Sequence, residues 1–206
     1  MLSDTQGQIT TSVIPDLAAC VERARSGDRH AMGELVGFFR EDIYRMVYYR
    51  TGNRMDAEDL TQEIFLKVFD NLGSLKDAAM FRPWVYRIAV NRVNDYHRRK
   101  KFLSFFVPAN EREDGPEMED MQSSNESVLD QVIKKEFWHE VRAFTHRLSK
   151  LEREVFQLRF LDHLGIAEIS TVLNRGESTV KTHLYRAVKK FQAEDRLIGL
   201  VRGEEI

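Results

Sequence analysis

Between Phe81 and Lys101 the chain reads FRPWVYRIAVNRVNDYHRRKK, in which Arg82, Arg87, Arg92, Arg98, Arg99, Lys100 and Lys101 are opposed only by Asp95. Phe81, Trp84, Tyr86 and Tyr96 are interleaved with these cations. Positive charge at this density holds phosphates, and flat rings stack on bases that have left the duplex. The pattern suits binding to opened, single-stranded nucleic acid. It holds no nucleophile with a neighbouring base.

These side chains need a rigid carrier, and the spacing predicts a helix beginning near Arg82, with Pro83 in its first turn where proline is tolerated. Apolar residues elsewhere recur at spacings of three and four, glycine and proline are scarce, and no segment alternates with period two, so the expected fold class is all-α. Residues 1–15 read as a loose tail. Helices are predicted over about Asp16–Ser26, Arg29–Arg50 and Met55–Leu72, with breaks at Gly27-Asp28, Thr51-Gly52-Asn53 and Gly73. From about Ser104 to Asn125 the composition turns acidic and poor in apolar residues, with Pro108, Gly115 and Pro116. That is the signature of a flexible acidic linker. Helical patterning resumes at about Glu126. The chain thus divides into a tail (1–15), a first helical domain (16–103), the linker (104–127) and a second helical domain (128–206).

The 206 residues carry a formal net charge of −2, which hides a strong segregation. Glu111–Asp130 holds eight acids against Arg112, while Phe81–Lys101 is basic, and such local patches decide partners. One cysteine, Cys20, excludes an internal disulfide and fits a reducing compartment. No apolar run approaches the ~20 residues of a membrane span, so direct membrane insertion is not expected and the cytoplasm is the expected location. The histidines are scattered and none sits in a dense Cys/Asp/Glu setting. Neither a metal nor a cofactor is expected.

Leu151–Phe191 has the layout of a helix-turn-helix. Glu152–Leu161 is apolar on one face, Ile166–Leu173 makes a short second helix, and Asn174-Arg175-Gly176 makes the turn, where glycine can take a positive φ. The next helix opens at Glu177-Ser178 and turns Val180, Leu184, Val188 and Phe191 inward. Its other face bears Thr179, Lys181, Thr182, Tyr185, Arg186, Lys189 and Lys190. Such a helix fits a major groove, with Lys181 and Arg186 reaching guanine edges or phosphates and Thr182 reaching a base. The plainer alternative is a solvated amphipathic helix. A second ambiguity concerns DAEDLTQEIFLKVF, Asp56–Phe69. It is either a core helix whose early acids suit the helix dipole or a docking face for a partner protein.

In this order the three segments resemble the extracytoplasmic-function sigma factors of bacterial RNA polymerase, in the sigma-70 family. DAEDLTQEIFLKVF is similar to that family's core-polymerase-binding helix. FRPWVYRIAVNRVNDYHRRKK resembles its promoter-melting and −10 helix, and Leu148–Phe191 its −35-binding domain. The resemblance implies a promoter-specificity subunit that binds the β and β′ subunits of core RNA polymerase through Asp56, Asp59, Gln62, Glu63 and Phe65. It implies −10 contacts, to single-stranded DNA, from Lys76, Asp77, Ala78, Ala79, Met80 and Phe81 and from Trp84, Arg87, Asn91, Arg92, Arg98 and Arg99. It implies contacts to duplex at −35 from Ser178, Thr179, Lys181, Thr182, Tyr185, Arg186 and Lys189. It also implies an anti-sigma partner and a role in a stress response. The chain departs from the family pattern at Arg175, Val188 and Gly165-Ile166, so the −35 sequence does not follow from the resemblance.

Two other classes are testable against the same residues. A free-standing regulator would use only the helix-turn-helix, with residues 16–103 as a sensor or dimerisation domain, and has no use for Trp84 among seven basic residues. An enzyme would need a carboxylate cluster, a glycine-rich phosphate loop or an activated nucleophile, and none is present in the sequence.

Overall fold

The computed structural model describes residues 16–104 and 128–202. The acidic segment and the N-terminal tail lie outside them. Among the described residues the regular structure is helical: α1 (Leu17–Arg25), α2 (Arg29–Thr51), α3 (Arg54–Asn71) and α4 (Phe81–Ser104) come first. Then follow α5 (Val128–Arg147), α6 (Lys150–Phe160), α7 (Ile166–Leu173), α8 (Glu177–Phe191) and α9 (Asp195–Arg202). None is long and apolar enough to cross a membrane.

The breaks are built by local chemistry. Asp16 accepts from the Ala19 N–H at 2.9 Å, and Asp28 accepts from His30 N–H at 2.8 Å, each satisfying donors that a helix start leaves free. Gly52 ends α2 at φ 69°, with its N–H on the Tyr48 carbonyl at 2.8 Å. Asn53 then caps α3 by accepting from Asp56 N–H. The expected loop before α4 is tighter than a loop: 3₁₀ turns occupy Leu72–Ser74 and Ala78–Met80, and Asp77 caps the second through Ala79 N–H.

The first four helices close around Leu35, Ile43, Met46, Val47, Ile64, Val68, Phe81 and Val85, all essentially inaccessible. Burying each such side chain is worth roughly 1.5–3 kcal/mol, which fixes the α3–α4 pair that matters below. In the second half, Glu152 accepts from Ser149 N–H and Glu168 from Gly165 N–H, so a carboxylate seals the first turn of α6 and of α7. Phe144, Phe156 and Phe191 pack edge-on or tilted with centroids 5.2–5.8 Å apart, joined by Val141, Leu148, Ala187 and Leu197.

One expectation is corrected in the helix-turn-helix turn. Gly176 sits at φ −62° as the residue that caps α8, and Asn174 takes the left-handed conformation at φ 51°. Asparagine is the side chain that tolerates this region best after glycine, so the left-handed step is made two residues earlier than a glycine-based reading places it.

The two halves also touch. Arg50 at the end of α2 meets Asp162, between α6 and α7, with Nη2–Oδ2 at 2.6 Å. Arg82 on α4 donates to both carboxylate oxygens of Glu168 on α7 at 2.8 and 2.9 Å, and to the Asp162 carbonyl at 3.3 Å. Tyr49 stacks on Trp138 of α5 with centroids 4.3 Å apart. Val155, Leu158, Leu164, Ile169, Val172 and Val180 belong to the same apolar cluster as the first-domain core.

Candidate nucleic-acid interface

Helix α4 carries two stripes. Phe81, Val85 and Ala89 are fully buried, and Arg92, continuing that row at helical spacing, is 9% exposed. On the other side Trp84 is half-buried, and Arg87, Asn91 and Arg98 are exposed at the i+3, i+7 and i+14 positions from it. Trp84 leans on the core with its ring 6.1 Å from Phe81 and is only partly covered. Arg98 pairs loosely with Asp95 at 3.1 Å and is largely in water, and Arg99 is exposed. The result is an indole at the head of a polar, cation-bearing row, an arrangement of the chemistry that suits phosphates along it and a stacked base at one end.

Ahead of α4, Lys76, Asp77, Ala79 and Met80 are exposed on the capped 3₁₀ turn, and Ala78 is buried. Met80 keeps 38% of its surface open beside Trp84's helix start. The turn is anchored from below by Leu75, whose carbonyl accepts from Arg25 at 3.1 Å.

Helix α3 points Met55, Asp59, Gln62, Glu63 and Leu66 outward, while Ala57, Leu60, Thr61, Ile64 and Val68 face the core. Asp56 is half-buried: Tyr96 on α4 donates to its Oδ2 at 2.6 Å. Leu66 and Met55 are 65% and 68% exposed, so acids and bare apolar side chains share one face. A face of that mixture matches a protein partner better than solvent. The signal for Met55 and Leu66 was present in the spacing, since they fall at i−4 and i+7 from Asp59.

Four expected contact residues are placed elsewhere. Phe65 is 6% exposed, Phe81 is 0% exposed against Phe39, and Ala78 is 8% exposed, so none presents a side chain in this conformation. Arg92 is directed at Glu63 across the α3–α4 contact, which ties an expected DNA contact to an expected polymerase contact. Phe65 falls on the inward row of α3, Phe81 and Arg92 on that of α4, and Ala78 is the buried residue of the 3₁₀ turn.

Helix α8 is the most open element of the second half. Ser178, Lys181, Thr182, Tyr185, Arg186 and Lys189 are exposed, Thr179 is half-buried, and Val180 and Ala187 are buried. Tyr185 is 71% exposed. Thr182 donates its hydroxyl to the Ser178 carbonyl at 2.9 Å while its side chain stays exposed. Lys181 is within 3.4 Å of Glu177 at the helix start. Lys190, by contrast, turns back to Glu152 at 2.6 Å and braces α8 against α6. That ammonium, the strongest influence, holds the Glu152 carboxyl down to about 2, with the Ser149 cap adding to it.

Residues 35–102 match the family model Sigma-70 region 2, and residues 139–191 match Sigma-70, region 4. The ECF RNA polymerase sigma factor BldN of Streptomyces coelicolor is 35% identical over 176 residues, or 82% of this chain, and the chain spans 62% of the length of BldN. SigW of Bacillus subtilis, also an ECF RNA polymerase sigma factor, is 31% identical over 170 residues, covering 81% of this chain and 89% of SigW. Among solved structures, CnrH in complex with the cytosolic domain of CnrY superposes with TM-score 0.62 at 21% identity, covering 86% of this chain and 95% of that one. The sigma factor RpoE with the anti-sigma factor NepR from Bartonella quintana superposes with TM-score 0.62 at 14% identity, covering 84% and 98%. These two establish a shared fold. With both sigma regions matched in order and more than half the chain covered, this protein belongs to the extracytoplasmic-function sigma factors of the sigma-70 family.

Proposed function

We propose that this chain directs core RNA polymerase to promoters, with α3 docking on the polymerase, the 80–99 stretch holding the opened −10 strand, and α8 reading duplex DNA at −35. It works in the cytoplasm as a binding subunit and catalyses no covalent step. The observation that carries this reading is the adjacency of α3 and α4. A mixed acidic and apolar face and a row of Trp84, Arg87, Asn91 and Arg98 are held back to back by Ile64, Val68, Val85 and Ala89. A duplex-binding regulator needs only α8.

Within that division of labour, Met80 and its turn flank the first unpaired base and Trp84 closes the stack. Arg87, Asn91, Arg98 and Arg99 neutralise phosphates. Extruding a base costs a few kcal/mol, which stacking at ~1–3 kcal/mol per base and the phosphate contacts offset. Phe65, Phe81, Ala78 and Arg92 support these surfaces from beneath. On α8, Lys181, Thr182, Tyr185 and Arg186 face the groove, flanked by Ser178, Thr179 and Lys189. An anti-sigma protein is a further partner, by analogy with the complex in which RpoE of the same fold was solved.

Run-off transcription with core polymerase on a promoter library tests the reading. Discrete transcripts that require this chain are expected. Tight duplex binding without any transcript above core alone would establish the free-standing regulator instead.

A further inference from the structure

We infer that Arg175, in the turn before α8, is a further −35 contact: it grips a phosphate at the groove wall and fixes the register in which α8 meets the bases. This rests on the reading of α8 as the duplex-reading helix. The turn itself does not call for a long cation. Asn174 makes the left-handed step at φ 51°, and Gly176 opens α8 in an extended conformation. The Arg175 side chain between them is exposed, and no carboxylate among the described residues pairs with it. The neighbouring acid, Glu177, is engaged by Lys181 at 3.4 Å.

The backbone of Arg175, by contrast, is held on both sides. Its N–H donates to the Ser170 carbonyl at 3.0 Å, and the Ser170 hydroxyl donates to its carbonyl at 2.5 Å. Ser170 belongs to α7, which is seated in the core by Ile169 and Val172. A guanidinium on a fixed backbone gives up only side-chain freedom when it binds, and its planar fork matches phosphate oxygens. A cation on a mobile loop would give up backbone freedom as well.

Placement supplies the target. Ser178, Lys181, Thr182, Tyr185, Arg186 and Lys189 are exposed along α8 at helical spacing, which makes one stripe. Arg175 stands three residues before the first of them, so its Cα lies within ~11 Å of that of Ser178. A major groove ~12 Å wide has its phosphate walls only ~6 Å from the middle. With the stripe on base edges, the turn comes down at a wall. Recognition helices of this kind meet bases through their N-terminal residues, so a fixed contact at this end of α8 sets the register of the rest. Phosphate contacts position a protein and carry no base preference. Arg175 anchors, and Lys181, Thr182 and Arg186 read.

The test is salt-titrated binding of the full chain to two probes. One is a promoter fragment bound with core polymerase, and the other is a short duplex of random sequence bound without it. Arg175→Gln should weaken both about tenfold at about 50 mM salt but only about threefold at about 200 mM, because one lost phosphate contact lowers the salt slope by about 0.9. The rank order among single-base variants of the −35 element should not change. Arg175→Lys keeps the charge and should restore the slope, with the thermal midpoint of the parent in both variants. In a Ser170→Ala background the effect of Arg175→Gln should shrink to about threefold at the lower salt, the non-additivity of coupled neighbours. An unchanged slope in Arg175→Gln overturns the proposal, as does a loss confined to one base-pair position or one that Arg175→Lys does not repair. An undiminished effect in the Ser170→Ala background overturns the role of the fixed turn. The random duplex needs neither polymerase nor promoter, so its outcome is separate from that of the transcription assay.

Discussion

Tyr96 on α4 donates its hydroxyl to Asp56 on α3 at 2.6 Å, and Lys100 in turn donates to the same phenol oxygen at 3.2 Å. Burial, and after it the Asp56 carboxylate, raises the phenol well above its ordinary value, so it remains a donor throughout the physiological range. The start of α3 is thereby pinned to α4. Tyr96→Phe is expected to lower stability by about 1 kcal/mol, the net worth of one such bond, measured as a reduced urea midpoint with an unchanged slope.

Arg87 and Arg92 are five residues apart and have opposite surroundings: Arg87 is in solvent and Arg92 reaches Glu63 at the α3–α4 contact. Arg87→Gln should leave the thermal midpoint unchanged and reduce the salt slope of strand binding by about 1. Arg92→Gln should cost on the order of 1–3 kcal/mol of stability with little change in that slope. Calorimetry together with salt-titrated binding to a single-stranded −10 oligonucleotide separates the two.

This contrast marks where the sequence is legible. Gly27 and Gly52 punctuate the chain in ways one residue can signal, and α1, α2, α7 and α8 begin and end within a residue or two of the pattern. Which arginine of a basic helix faces inward depends on a buried row at 81, 85, 89 and 92 that runs through a segment read for its charge. Gly176 shows the same limit, since either Asn174 or Gly176, two residues apart, could supply the left-handed step and only the backbone decides. Asp162 and Glu168 look like ordinary surface acids, and nothing within a hundred residues of Asp162 announces Arg50. The docking of the halves is a tertiary fact with no local signature. The acidic linker falls outside the described residues.

Arg186 sits on the exposed face of α8, with Tyr185 beside it and no hydrogen-bonded carboxylate among the described contacts. Arg186→Ala should weaken binding to a −35 duplex by about 1–3 kcal/mol if it reads a guanine, with the loss confined to one base-pair position. A uniform loss over all sequences, with a smaller salt slope, would assign it to phosphate. Competition binding with single-base variants of the duplex distinguishes these.

Glu152 gives the second half an acid-sensitive brace. Its carboxyl is held near 2, mainly by Lys190, against an ordinary value of 4.5. A folded value below the unfolded one means stability that is present above about 4.5 and lost as pH falls through the folded value. Lys190 is half exposed, so solvent screening reduces the contribution to roughly 1–2 kcal/mol. Glu152→Gln should flatten the fall in thermal midpoint between pH 5 and about pH 2, measured by circular dichroism.

The central claim is that the Trp84 row on α4 holds promoter DNA open once α3 has engaged polymerase. A promoter carrying 2-aminopurine in place of an adenine of the −10 element reports opening directly as fluorescence. Signal should rise only when chain and core are both present. Trp84→Ala should reduce it about tenfold or more, consistent with the loss of a stacking contact, while core binding stays within about twofold. Equal losses in opening and in core binding, or full opening by Trp84→Ala, would contradict the account.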